Sequence, residues 1–219
     1  MATAPGAPEG AIEPAGAASP EAFKAAFRRL ASGVCVVMFR RHGRPHGFTA
    51  TSVTSVSMAP PKALFCVGTT NDSHPHLSVG TLVGISMLSA AQRSLSDRFA
   101  GKAGPHGYDD VETVEGPGGT LLLPGALAHL SARVAERVPA GDHSIIVCDL
   151  AAAMLAEEAP PLLHFSRAYH ALAPLVAATE PIVQAGGLKS DGTKADGAKS
   201  DGTKSDGGAA RREPALMRP

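Results

Sequence analysis

His46–Pro61, HGFTATSVTSVSMAPP, is the stretch whose reading decides the fold. It places six hydroxyl residues, Thr49, Thr51, Ser52, Thr54, Ser55 and Ser57, within nine positions, interrupts them only with Ala50, Val53 and Val56, and closes on Pro60-Pro61. β-Branched Thr and Val suit a pleated strand, and each hydroxyl both donates and accepts a hydrogen bond. Buried strands are rarely so rich in hydroxyls. The pattern predicts a half-exposed strand, or a strand-to-loop edge, able to line a polar ligand. A plain Ser/Thr-rich edge strand is the competing reading.

Upstream, VCVVMF (34–39) is a β-rich run and RRHGRPHG (40–47) carries turn chemistry around Gly43, so the two strands read as a hairpin. Before them Ser19 is placed to N-cap a helix with Pro20 at its first position. Phe23, Phe27 and Leu30 then form one apolar stripe as far as about Ala31, and Gly33 stops it. Downstream, KALFCVGT (62–69) predicts a short strand, fully buried at Cys66 and Val67. TTNDSHPHL (69–77) is a loop feeding a short helix around Pro75 to Val79, with Asn71, Asp72 and Ser73 able to cap backbone amides. VGISML (83–88) is a strand, and SAAQRSLSDRF (89–99) a helix capped by Ser89 and ended at Gly101.

Residues 102–119, rich in Gly and Pro and acidic, predict a surface excursion. ALAHLSARVAERV (126–138) fits helix or strand by period, and the alternation of ALAHLSARV favours strand. AGDHSIIVCDL opens with a turn and continues as an apolar strand, and LLHFSRAYHAL (162–172) is a last strand or hairpin.

The 219 residues are 44% hydrophobic and 18% charged with zero formal net charge, so nothing draws the chain to nucleic acid or an anionic membrane. No run of about 18 apolar residues exists, and the first twenty residues lack the basic start and apolar core of a secretory signal. Cytoplasm is the expected location. Cys35, Cys66 and Cys148 are odd in number, far apart and set in apolar runs, against a disulfide scaffold or a zinc site. Residues 1–20 predict a disordered arm and 21–174 one domain. In 175–219 a disordered tail is expected, where KSDGT, KADGA, KSDGT and KSDGG repeat without bulky apolar residues.

No nucleophile elbow, phosphate loop or zinc spacing is present. His74-Pro75-His76 reads as loop histidines rather than metal ligands, and no metal is expected. Gly141-Asp142-His143 sets an imidazole at the mouth of a strand, suited to proton handling; an exposed turn is the alternative. Arg93 and Arg98 have the fork that grips phosphate, or are simply solvated. Tyr169 has a ring that could stack on a flat ligand, or belongs to the core.

The order of the pieces is more specific than any one of them. FRRLASGVCVVM, GRPHGFTATSVTSVSMAPPKALFC, SHP, SDRFAG, GALAHLSARV, GDHSIIV and PLLHFSRAY follow one another in a series that resembles the flavin reductase-like family, the reductase components of two-component flavin monooxygenases. The likeness spans about residues 23–172. It implies a mainly β fold, an antiparallel flavin-binding split barrel with flanking helices, built as a homodimer. It also implies hydride transfer from NADH or NADPH to FMN or FAD, with reduced flavin passed to a partner monooxygenase.

By the same resemblance, Thr49, Ala50, Thr51 and Ser52 would contact the isoalloxazine edge and upper ribityl chain, with Ser55 and Ser57 nearby. Thr70, Ser73 and His74 would lie toward the ribityl-phosphate end. His143 would sit by the flavin ring and nicotinamide as the catalytic residue, with Tyr169 at the same mouth. Two positions depart from the family pattern: Thr51 and Ser86 stand where Asn is usual, exchanging an amide for a shorter hydroxyl at the flavin. The hydride chemistry belongs to flavin and nicotinamide, so no protein nucleophile is required.

Overall fold

Strands dominate the computed structural model, which describes residues 19–101 and 108–172. Apart from Ser19 and Pro20, the expected N-terminal arm lies outside the described residues, as does the expected C-terminal tail. In chain order, α1 (Pro20–Phe27) precedes β1 (Ser32–Gly33), β2 (Cys35–Arg41), β3 (Arg44–Ala50), β4 (Thr54–Met58), β5 (Pro61–Gly68) and β6 (Leu82–Met87). Helix α2 (Arg93–Ala100) follows, then β7 (Val114–Gly116), β8 (Thr120–Leu122), β9 (Ala128–Ala140), β10 (His143–Leu155), β11 (Leu162–Phe165) and β12 (Ala168–Ala171).

Seven strands form one antiparallel sheet in the order β3-β2-β6-β9-β10-β5-β4. β3 is one edge and β5 lies next to the other, yet the rings of Phe48 and Phe65 meet with centroids 5.9 Å apart. The twisted sheet therefore rolls into a barrel, filled by Val37, Phe39, Phe48, Phe65, Ile85 and Ile146. β3 and β4 end the sheet order, so the barrel is split along their seam. There Ser52 Oγ accepts from the Cys66 amide (2.9 Å) and donates to its carbonyl (3.4 Å), standing in for a ladder neighbour.

Cys35 to Phe39 are all buried, because β2 has a second core on its outer face: Val36 and Met38 pack there with Phe99, Tyr108, Leu121 and Leu123. This explains why the run is continuously apolar rather than alternating. Burial pushes the Cys35 thiol up to about 11 and the Cys148 thiol to about 12, which leaves both inert. A backbone triangle closes the domain: the Val34 amide donates to the Leu162 carbonyl (3.0 Å), the Leu162 amide to Leu88 (3.0 Å) and the Leu88 amide to Val34 (2.9 Å).

Several local expectations change. Helix α1 stops at Phe27, and its stripe is turned outward, with Phe23, Phe27 and Leu30 each more than half exposed. A short helix with no buried face has only local bonds to extend it. The helix expected at 75–79 is a single 3₁₀ turn, His74–His76. Ser89 does cap, but in a box with Gln92 around a 3₁₀ turn (Ala90–Gln92), and α2 starts only afterwards. Residues 102–107 of the expected excursion lie outside the described residues, and from 108 onward it contributes to the core: Tyr108 is 1% exposed and stacks on Phe99 at 4.1 Å, while β7 pairs with β8. Cys66 is half-buried, because β5 alternates and points Ala63, Phe65 and Val67 inward instead.

Candidate active site

Strand β10 begins at His143, paired with Gly68 of β5 and Ala140 of β9. The Gly141-Asp142 pair before it reverses the chain, with Gly141 at φ 64°, a left-handed backbone that glycine takes without strain. This turn is tied to the 69–73 loop, since the Asp142 carbonyl accepts from the Thr69 amide (2.9 Å) and the Thr69 hydroxyl (3.1 Å). Asp142 Oδ1 lies 2.7 Å from His143 Nδ1, and that hydrogen bond holds the Asp142 carboxyl below its usual range. A carboxylate at Nδ1 selects the tautomer protonated there and leaves Nε2 as an acceptor. Nε2 stands beside Gly68, whose Cβ, were there one, would lie 3.7 Å away.

Gly68, Thr69, Asp142 and His143 line a cleft of about 480 Å³ that also presents His46, Phe48, Thr70, Asp72, Ser73 and Tyr108. Of the residues expected at a ligand, the cleft brings together His143, Thr70 and Ser73. His46 was not among them. It shares the inward face of β3 with Phe48 and Ala50 and is only 3% exposed; a histidine in phase with a strand's core positions is the signal that could have found it. Burial first, then the positive fields of Arg41 and His76, opposed by Asp72, hold its pKa below the usual value.

The other expected site residues lie elsewhere. Thr49 Oγ1 donates to the Ser96 carbonyl at 2.7 Å, fastening β3 to α2, and Ala50 is in the core. Thr51 and Ser52 border a groove of about 440 Å³ under the α1 stripe, together with Phe23 and Phe27. Ser55 and Ser57 line an apolar groove of about 630 Å³ with Val53, Met58, Leu130 and Leu150. His74 Nε2 is 3.0 Å from Ser144 Oγ, and its carbonyl accepts from Arg137 at 3.0 Å. Tyr169 staples the last hairpin to α2, with its hydroxyl 2.9 Å from Ser96 Oγ and 3.0 Å from Asp97 Oδ1.

Ser86, expected to face the flavin, is fully buried. Its hydroxyl accepts from the Leu123 amide (3.0 Å) and meets His129 Nδ1 at 3.2 Å. Ser86→Ala strands both groups and should cost about 1–3 kcal/mol of stability, read by urea denaturation, with flavin affinity unchanged. A variant as stable as wild type would show that these bonds contribute nothing.

Burial lowers the pKa of His46, His74, His76 and His129 below the ordinary 6.5. The unfolded chain therefore binds more protons near that pH, so stability is complete above about 6.5 and is lost as pH falls through the lower folded values. Thermal melts at pH 7.5 and 5.5 should show a lower midpoint at 5.5, and equal midpoints would refute this.

Among the described residues no three His, Cys, Asp or Glu side chains are grouped to hold a metal, and no helix is long and apolar enough to cross a membrane. The family model for the flavin reductase like domain matches residues 27–173. The reductase component of 4-hydroxyphenylacetate 3-monooxygenase from Thermus thermophilus is 36% identical over 152 residues, 69% of this chain and 96% of the relative. Actinorhodin polyketide dimerase from Streptomyces coelicolor is 36% identical over 148 residues, 67% of this chain and 83% of the relative. Among solved structures, the NADH:FAD oxidoreductase of Streptomyces globisporus in complex with NAD and FAD fragments superposes with a TM-score of 0.65 at 30% identity, covering 73% of this chain and 98% of that one. With barrel, cleft and sequence in agreement, the chain belongs to the flavin reductase-like family.

Proposed function

We propose that the protein is an NAD(P)H-dependent flavin reductase that passes hydride to FMN or FAD and supplies reduced flavin to a partner monooxygenase. The observation that carries this is the family match over residues 27–173, which falls on a barrel whose cleft brings His143 and Thr70 together. The similarity to a monooxygenase reductase component supports the partner, and the similarity to an NADH:FAD oxidoreductase supports the substrate pair. Nicotinamide and flavin supply the hydride chemistry. The protein's share is alignment: His143 and Thr70 face the substrates in the cleft, and Thr51 offers an exposed side chain to the flavin at the barrel seam.

The test mixes purified protein with NADH or NADPH, with and without excess FMN, FAD or riboflavin, and follows the nicotinamide absorbance. Consumption that depends on free flavin is expected. No consumption with any flavin refutes the proposal, and consumption by a yellow protein without added flavin replaces it with a flavin-retaining oxidoreductase.

The working unit is a homodimer in this reading. Met58 is 76% exposed and borders the apolar groove of about 630 Å³ described above, lined also by Val53, Met87, Leu130 and Leu150; an open apolar groove of this kind suits a subunit contact. Sedimentation should give a dimer that Met58→Asp weakens, and a wild-type monomer at micromolar concentration overturns the dimer.

A further inference from the structure

The β2–β3 turn gathers positive charge in a chain whose formal net charge is zero. Arg40, Arg41 and His42 from this turn line a pocket of about 460 Å³ together with His76 and with Arg133 of β9. Among the described residues no carboxylate lines it. It shares no lining residue with the cleft that carries His143.

Neighbouring groups do not neutralise these cations. Arg41 stands directly opposite Arg44 in the hairpin register, and like charges so placed repel. Arg44 has a carboxylate, Asp109, at 3.5 Å; among the described residues Arg41 has none. Glu115 offsets Arg40 at 3.6 Å in an exposed pair, and Arg133 gives one N–H to the Gly80 carbonyl at 2.9 Å. Burial first, then the positive fields of Arg41 and His42, hold the His76 imidazole below its usual pKa, so both fields reach the pocket wall.

We propose that this pocket binds the phosphoryl group of a small anionic ligand, with Arg41 and Arg133 as its principal grips. A guanidinium presents paired N–H donors that match two phosphoryl oxygens. Arg40, Arg41 and Arg133 against Glu115 leave a surplus of positive charge that favours an anion. A volume of about 460 Å³ is within the usual range for small-molecule sites and exceeds what one phosphate fills, so pyrophosphate and nucleoside diphosphates are the class it suits. The site stands apart from the reductase reading and needs no part of it.

The test is calorimetric titration of the full chain with pyrophosphate and with ADP. Wild type should bind pyrophosphate saturably with a Kd below about 1 mM. Arg41→Gln should weaken it about tenfold, the worth of a hydrogen bond to a charged group, and Arg41→Lys, which keeps the charge but loses the fork, should fall between. Arg29→Gln, which removes an exposed charge outside the pocket, should leave the affinity unchanged. The melting temperature of Arg41→Gln should not fall, because the substitution relieves the repulsion from Arg44. ADP binding that is tighter than pyrophosphate and equally sensitive to Arg41→Gln identifies a nucleotide as the ligand, and equal or lower ADP affinity limits recognition to the phosphoryl group; the site stands in both cases. No saturable binding, equal losses in Arg41→Gln and Arg29→Gln, or displacement of pyrophosphate by FMN or NAD⁺ overturns it.

Discussion

Gly84→Ala should cost about 3 kcal/mol or more and leave much of the protein unfolded. Gly84 sits in β6, the strand between β2 and β9, and the segment Leu121–Leu123 crosses directly over it. A Cβ on Gly84 would overlap the Leu121 carbonyl oxygen and lie 2.8 Å from Leu122 Cδ2 and 2.9 Å from the Leu121 carbonyl carbon. Two of these neighbours are backbone and cannot rotate away. Two residues on, along the same face, Ser86 receives the Leu123 amide at 3.0 Å, so β6 spends a glycine and a serine on admitting one crossing strand. Overpacking of this kind typically costs 1–3 kcal/mol, and more where backbone must shift. Urea denaturation measures it, and a wild-type midpoint would mean that the crossing is not there.

His143→Ala should lower kcat/KM for NAD(P)H by about 10²-fold, the scale on which misplacing reactants is felt, and change flavin affinity far less. The imidazole is held by Asp142 at 2.7 Å and lines the cleft, and in the proposed function its loss removes a positioning contact to the substrates. The side chain is half exposed, so the fold should survive and the melting temperature should hardly move. Turnover equal to wild type sinks the assignment. Asp142→Asn, which keeps the imidazole but loosens its orientation, should have a smaller effect in the same direction.

Much of the barrel was legible because its strands announce themselves. The hairpin at Gly43, the apolar run of β5 and the turn at Gly141 each carry the local chemistry of what they form. The hydroxyls around Thr49 were legible as polar groups but not by destination. Thr49 and Ser52 turn out to bond backbone carbonyl or amide groups distant in sequence, and no local pattern distinguishes such a clasp from a ligand contact. The α1 stripe was legible as apolar, yet periodicity cannot say whether its partner is its own core. Tyr108 was hidden among acidic residues, and only the Phe99 ring it stacks on explains its burial. His46 reads locally as one more polar residue of the turn region, and its burial exists only once the wall around it is built.

The triangle of amides joining Val34, Leu88 and Leu162 bears on how the chain reaches its folded state. A ribosome delivers Val34 early and Leu162 late in the domain, so β1, whose one partner among the described residues is β11, has no strand to join while most of the domain is being made. Pairings between such distant segments close the largest loops and slow folding. The β2–β3 and β9–β10 hairpins form from neighbours in sequence and need not wait. Both hairpins can therefore form before β11 exists, and β1, the first strand to emerge, is among the last to be paired.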